Sequence, residues 1–154
     1  MEKQSNYLTK QFIFLLAATC GIVVANMYYV QPIGTQVAES FQVSTSSIGS
    51  VTMLTQVGYA LGLLLIVPLG DVLNKRRLII SMAALSSLSL LGAFFAPNFQ
   101  LFILAAFIIG LLSVVPQIII PYGAVLAGPE KRGQVMGKLL SGLLVGILLS
   151  RTFS

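Results

Sequence analysis

Five long apolar stretches, each close to the length a helix needs to cross a bilayer, constrain this chain more than anything else in it. A transmembrane helix takes about 20 mostly apolar residues. The runs are 11–33, 48–69, 78–95, 101–126 and 134–154. Charged residues make up 8% of the 154 and hydrophobic ones 56%, whereas a soluble domain carries about 25% charged residues. A chain this poor in charge cannot cover a globule with polar surface. The expected class is therefore all-α, a polytopic transmembrane helical bundle whose solvent is the lipid bilayer. The connections are short, and none reads as a soluble domain or linker. The longest, 34–47, ends in Ser44-Thr45-Ser46-Ser47, suited to capping the second span.

The first run follows Lys3 and Lys10 and contains Ala18-Thr19-Cys20, a weak likeness to a cleaved leader. It continues to Ile33, well past the about 7–15 residues of a leader's apolar region, and reads as a retained span. The single cysteine, Cys20, and the absence of histidine exclude an internal disulfide and a His/Cys metal site, so no metal or cofactor is expected. No span carries a carboxylate in its middle, no catalytic set can be assembled, and the chain does not read as an enzyme. Gly137-Lys138-Leu139 lacks the framework of a phosphate-binding loop.

Net charge is +5, yet nucleic acid is not an expected partner, because none of the reading motifs is present. The basic residues instead sit at span edges. Lys3 and Lys10 precede the first span, Lys75, Arg76 and Arg77 separate the second and third, and Lys131, Arg132 and Lys138 separate the fourth and fifth. The intervening loops on the other side hold none. The positive-inside rule then predicts a multi-pass protein with its N-terminus and both basic loops in the cytoplasm. The chain stops within an apolar helix, which reads as the first part of a longer protein.

Spacing picks out the polar and small residues within the spans. Thr52, Gln56 and Tyr59 share one face of the second span, Asn26 and Tyr29 one face of the first, and Ser113 and Gln117 one face of the fourth. Polar side chains at such depth avoid lipid, so each set lines a wet cavity or joins helices. Pro116 and Pro121 each free a backbone carbonyl one turn back, near Leu112 and Gln117, and predict a kink. Gly58 with Gly62, and Gly142 with Gly146, form G-x-x-x-G faces for close helix packing. Arg151 lies about 25 Å along the fifth helix, where it reaches the outer headgroups or faces the cavity.

The loop Val67-Pro68-Leu69-Gly70-Asp71-Val72-Leu73-Asn74-Lys75-Arg76-Arg77 resembles the loop between the second and third helices of the major facilitator superfamily, roughly G-x-L-a-D-r-x-G-r-r. Asn26-Met27-Tyr28-Tyr29-Val30-Gln31-Pro32, Gln56 to Gly62, Gly128 to Gly133 and Gly142 to Ser154 resemble successive parts of its bacterial drug- and sugar-efflux branch. The chain departs from the pattern at Val67, Val72 and Asn74. Asn74 stands in place of a glycine and is expected to tolerate a left-handed backbone. Ala106 stands where the family has a helix-four arginine, and Arg151 where many antiporters have a proline.

The resemblance implies the first five helices of a twelve-helix fold in a bacterial cytoplasmic (inner) membrane, moving a small solute by alternating access, with efflux the expected direction. It implies that Gly70, Asp71, Lys75, Arg76 and Arg77 form a cytoplasmic gate loop. Glu130 is expected to pair with Arg76 or Arg77. Asn26, Tyr29, Gln56, Tyr59, Gln117 and Arg151 are the candidates for the solute cavity. The two glycine faces are expected to meet the opposite, C-terminal half. This chain alone is expected to be inactive. The rival reading is a remnant or small membrane protein that transports nothing and acts by packing against another membrane helix.

Overall fold

The computed structural model describes residues 9–28 and 30–152, and all but the side chain of Arg151 among them. They form α1 (Lys10–Tyr28), α2 (Gly34–Phe41), α3 (Thr45–Val72), α4 (Lys75–Phe94), α5 (Phe99–Leu112) and α6 (Val115–Thr152). Four helical stretches are long and apolar enough to cross a membrane, and the last, Phe99–Ser150, is 52 residues long. That stretch contains two legs. At Gly128 the backbone leaves the helix, with φ 71° and ψ 171°, a conformation that glycine adopts at little cost. A Cβ on Gly123 would lie 2.7 Å from Leu139 Cδ1. In a straight helix those residues would be about 24 Å apart, so α6 doubles back and the described residues form five legs.

The legs pack through glycine. A Cβ on Gly21 of α1 would lie 2.7 Å from the Gly142 carbonyl oxygen, one on Gly142 would lie 2.5 Å from that of Ala17, and one on Gly146 would strike the Gly21 carbonyl. These contacts advance together, so α1 and the second leg of α6 run parallel. In the same way Gly58 abuts the Phe107 carbonyl, Gly62 that of Leu111, and Gly70 the Ile118 side chain. Thus α3 runs parallel to α5 and the first leg of α6. Both G-x-x-x-G faces therefore close within this chain, contrary to the expectation that they await another half. Around them Leu16, Cys20, Val115, Ile119 and Leu139 form the main core.

Several boundaries differ from the sequence reading for local reasons. The second span starts at Thr45 and its N-cap is Ser44, whose hydroxyl bonds Ser46 and Ser47 Oγ rather than capping a backbone N–H. The segment 34–41, expected as loop, is the amphipathic α2. Its Ala38 is buried and Phe41 packs on Phe99 and Phe102 at centroid distances of 5.9 and 5.3 Å, while Thr35, Gln36, Glu39 and Ser40 face outward. The fourth span is broken rather than kinked. Helix α5 ends at Ser113, whose N–H bonds the Ile109 carbonyl at 3.0 Å. Helix α6 restarts at Val115, so Pro116 falls in a first turn, where a missing N–H costs nothing.

Because the seams leave no room for a Cβ, Gly58→Val and Gly146→Val should each destabilise the bundle by about 1–3 kcal/mol or more. Gly92→Ala, with nothing within 4 Å of the added Cβ, should not destabilise the bundle and should gain up to about 1 kcal/mol from helix propensity. Cys20 is the chain's only cysteine and is buried. Thermal unfolding in detergent can therefore be followed by its reaction with a thiol dye.

Candidate functional site

At mid-depth, polar side chains gather on one side of the α3–α5 seam. Tyr59 follows Gly58 directly, so the close approach of α3 carries its ring onto the first leg of α6. There Gln117 Nε2 donates to the Tyr59 hydroxyl at 3.0 Å. Gln117 and Gln56, one turn before Tyr59, are exposed, and Tyr59 is half-buried. Ser113, grouped with Gln117 by spacing, is instead buried and donates to the Ile109 carbonyl at 2.6 Å. Thr52 likewise bonds its own helix, at the Ile48 carbonyl. These two hydroxyls satisfy themselves locally, whereas Gln56, Tyr59 and Gln117 present a carboxamide and phenol face that carries no ionised group.

Asn26 lies elsewhere. It lines a separate cavity of 430 Å³ with Met27, Thr55, Phe94, Phe102 and Ala106. The wall is apolar apart from Asn26 and Thr55, and the Thr55 hydroxyl is committed to the Val51 carbonyl at 2.8 Å. The structure thus divides the expected cavity residues into two places. Tyr29 and the Arg151 side chain lie outside the described residues.

The loop after α3 is more compact than its glycine-based pattern suggests. Asp71 sits in the last turn of α3, where the helix dipole disfavours a carboxylate. Lys75 answers it at 3.7 Å, with the two side chains 36% and 83% exposed for Lys75 and Asp71 respectively. Asn74 is extended, at φ −65° and ψ 107°, rather than left-handed. Its side chain caps α4 by accepting from the Arg76 and Arg77 N–H groups. Gly70 is buried against Ile118. Glu130 pairs with neither Arg76 nor Arg77, since Asp71–Lys75 is the one ion pair among the described residues. All three of those side chains are exposed, and an exposed pair contributes only about 0–1 kcal/mol, too little to hold long side chains together.

One polar residue escaped the sequence reading. Ser86 of α4 is buried and its hydroxyl has no partner among the described residues, whereas Ser87 and Ser89 beside it bond carbonyls one turn back. The Ser86-Ser87-Leu88-Ser89 run gives no signal that separates them. Among the described residues no cluster of metal-ligating side chains is found.

Comparison with known proteins gives a consistent picture. The model of the Major Facilitator Superfamily matches residues 13–154. The chain is 44% identical over 152 residues to the uncharacterized transporter YgaY of Escherichia coli O157:H7, covering 99% of this chain and 39% of the relative. It is 28% identical over 147 residues to a "Probable transporter" of Streptomyces coelicolor, covering 96% and 34%. It is 32% identical over 103 residues to a D-xylose transporter of Levilactobacillus brevis, covering 66% and 22%. The chain spans about two-fifths of the length of the E. coli relative. No solved structure matches.

The Tyr59–Gln117 bond can be weighed by a double-mutant cycle. Tyr59→Phe, Gln117→Leu and their combination should give a coupling of about 0.6 kcal/mol, the average for membrane hydrogen bonds, read from Cys20 reactivity on unfolding. Asp71→Asn should change stability by less than about 1 kcal/mol.

Proposed function

This chain belongs to the major facilitator superfamily, and from that premise we propose that it forms part of a secondary transporter moving a small, uncharged, hydrogen-bonding solute by alternating access. The observation that carries the proposal is the exposed polar face of Gln56, Tyr59 and Gln117 at mid-depth. A carboxamide turned toward lipid would lose its hydrogen bonds with no compensation, so this face belongs on an aqueous path. Its donors and acceptors are neutral, which suits hydroxyl or amide groups better than an ionised substrate. The D-xylose transporter among the relatives makes a pentose the first solute to try.

Among the described residues no carboxylate lies within a leg at mid-depth. Asp71 and Glu130 flank the basic loops, and Glu39 sits on α2. Proton coupling usually needs a titratable group inside the membrane, so we place the coupling group outside this chain. The grouping of Lys75 to Arg77 with Lys131, Arg132 and Lys138 supports a cytoplasmic N-terminus in a bacterial cytoplasmic membrane. Export is the direction we propose, and we propose that the 154 residues alone do not transport, because five legs leave the polar face uncovered.

The test joins this chain to the remaining part of the E. coli relative and measures release of labelled xylose and other neutral solutes from vesicles. The joined protein should export one of them saturably, and Gln56→Leu or Gln117→Leu should raise KM by up to about tenfold, the worth of one hydrogen bond. Saturable transport by the 154-residue chain alone would sink the inactivity claim. Unchanged KM in both variants would remove the polar face from the path.

A further inference from the structure

Two prolines in the fourth span each lack the N–H that a helix would supply to a carbonyl one turn back. The structure gives the two carbonyls opposite surroundings. Pro116 and Leu112, the residue four before it, are both buried, so the carbonyl freed there lies in the core. Pro121 stands inside α6, and both it and Gln117, four residues earlier, are exposed. A helix carbonyl points along the axis toward the residue four on, so the Gln117 backbone oxygen opens on the same exposed stripe as its side chain. No side-chain donor reaches that oxygen among the described residues. The Gln117 carboxamide turns instead to Tyr59, with Nε2 donating to the hydroxyl at 3.0 Å.

The cost of an unbonded carbonyl decides what meets it. In hydrocarbon it would lose its hydrogen bond outright. On a wet path water satisfies it, and that water leaves in exchange for a solute hydroxyl. A carbonyl only accepts, so a solute must come to it with a donor. Nε2 is held by Tyr59, which leaves Oε1 of the carboxamide as a second acceptor. Gln117 thus offers two acceptors of its own on one face. Resting on the reading of this face as the solute path, we propose that the Gln117 backbone carbonyl is a specificity-determining acceptor. Together with Gln117 Oε1 it selects solutes with adjacent hydroxyls over those whose hydroxyls are isolated. Pro121 serves this site by withholding the N–H that would otherwise occupy the carbonyl.

Gln117-Ile118 is the only Gln-Ile pair in the sequence. The full chain, with glutamine labelled at its carbonyl carbon and isoleucine at its nitrogen, therefore gives one carbonyl signal in an NMR spectrum that requires both labels. It is reconstituted in lipid nanodiscs and titrated with methyl β-xyloside, whose hydroxyls are adjacent, and with the analogue lacking the middle hydroxyl. The xyloside should move the signal saturably, and the analogue should need up to about tenfold more, the worth of one hydrogen bond. Pro121→Ala, which returns the N–H, should abolish the movement, and Pro116→Ala should leave it unchanged. Unreactive Cys20 in each variant establishes that it is folded. A signal that the xyloside does not move in wild type overturns the proposal. So does an equal response to the two sugars, or a response that survives Pro121→Ala.

The protein joined to the remaining part of the E. coli relative separates this proposal from the path reading beneath it. There Pro121→Ala should raise KM for the xyloside by up to about tenfold and leave KM for the analogue unchanged. If the path reading fails, Gln56→Leu and Gln117→Leu leave KM as it was. If only the carbonyl proposal fails, those two variants raise KM and Pro121→Ala does not.

Discussion

Helices in a bilayer gain nothing from hiding apolar side chains from one another, because lipid is an equally good apolar solvent. What remains is close packing and hydrogen bonding, and this bundle relies first on close packing. Two seams, Gly21 with Gly142 and Gly146, and Gly58 with Gly62 against Phe107 and Leu111, let backbones approach until an added methyl group would collide with a carbonyl oxygen. Much else follows from their placement. The first seam fixes the parallel register of α1 and the second leg of α6. The second brings Tyr59 within reach of Gln117 and sets the end of α3 so that Gly70 rests on Ile118.

The sequence was most legible where one physical demand dominates. Span lengths follow from bilayer thickness, and the G-x-x-x-G spacing announces close contact because small residues four apart share a face. It was less legible wherever the answer depends on a neighbour. Gly58 and Gly146 say that something packs there, without saying what. Ile33, Val37, Ala38 and Phe41 do carry the one-turn spacing of α2, but a single short apolar face means little until Phe99 and Phe102 supply its partner. Asn74 occupies a glycine position of a pattern, while its cap geometry rests on the N–H groups of Arg76 and Arg77. Glu130 and the arginines match only in sign, and sign alone does not order exposed side chains.

The position of charge bears on mechanism. Asp71, Lys75, Arg76, Arg77, Glu130, Lys131 and Arg132 stand near leg ends and Glu39 on α2, and the mid-depth groups of the α3–α5 side are amides, hydroxyls and a phenol. Neutral dipoles of this kind can bind a solute and release it without moving a proton. They cannot by themselves couple that movement to an ion gradient, which requires a group that changes charge or binds an ion. The end charges are suited to orientation and to contacts with headgroups. The Asp71–Lys75 pair lies largely in solvent and joins the end of α3 to the start of α4.

The two seams have the same construction and opposite surroundings. Beside the α3–α5 seam stand Gln56, Tyr59 and Gln117. Beside the α1–α6 seam stand Phe14 and Ile22, with lysines at one end only. A bundle with both faces exposed cannot satisfy them in one solvent, since apolar surroundings suit the second and offer the carboxamides of the first no partner beyond the Gln117–Tyr59 bond. The polar face needs water or another polar protein surface at mid-membrane, and neither is available from bilayer hydrocarbon. The asymmetry between the seams is therefore a physical reason for the two faces to require different surroundings.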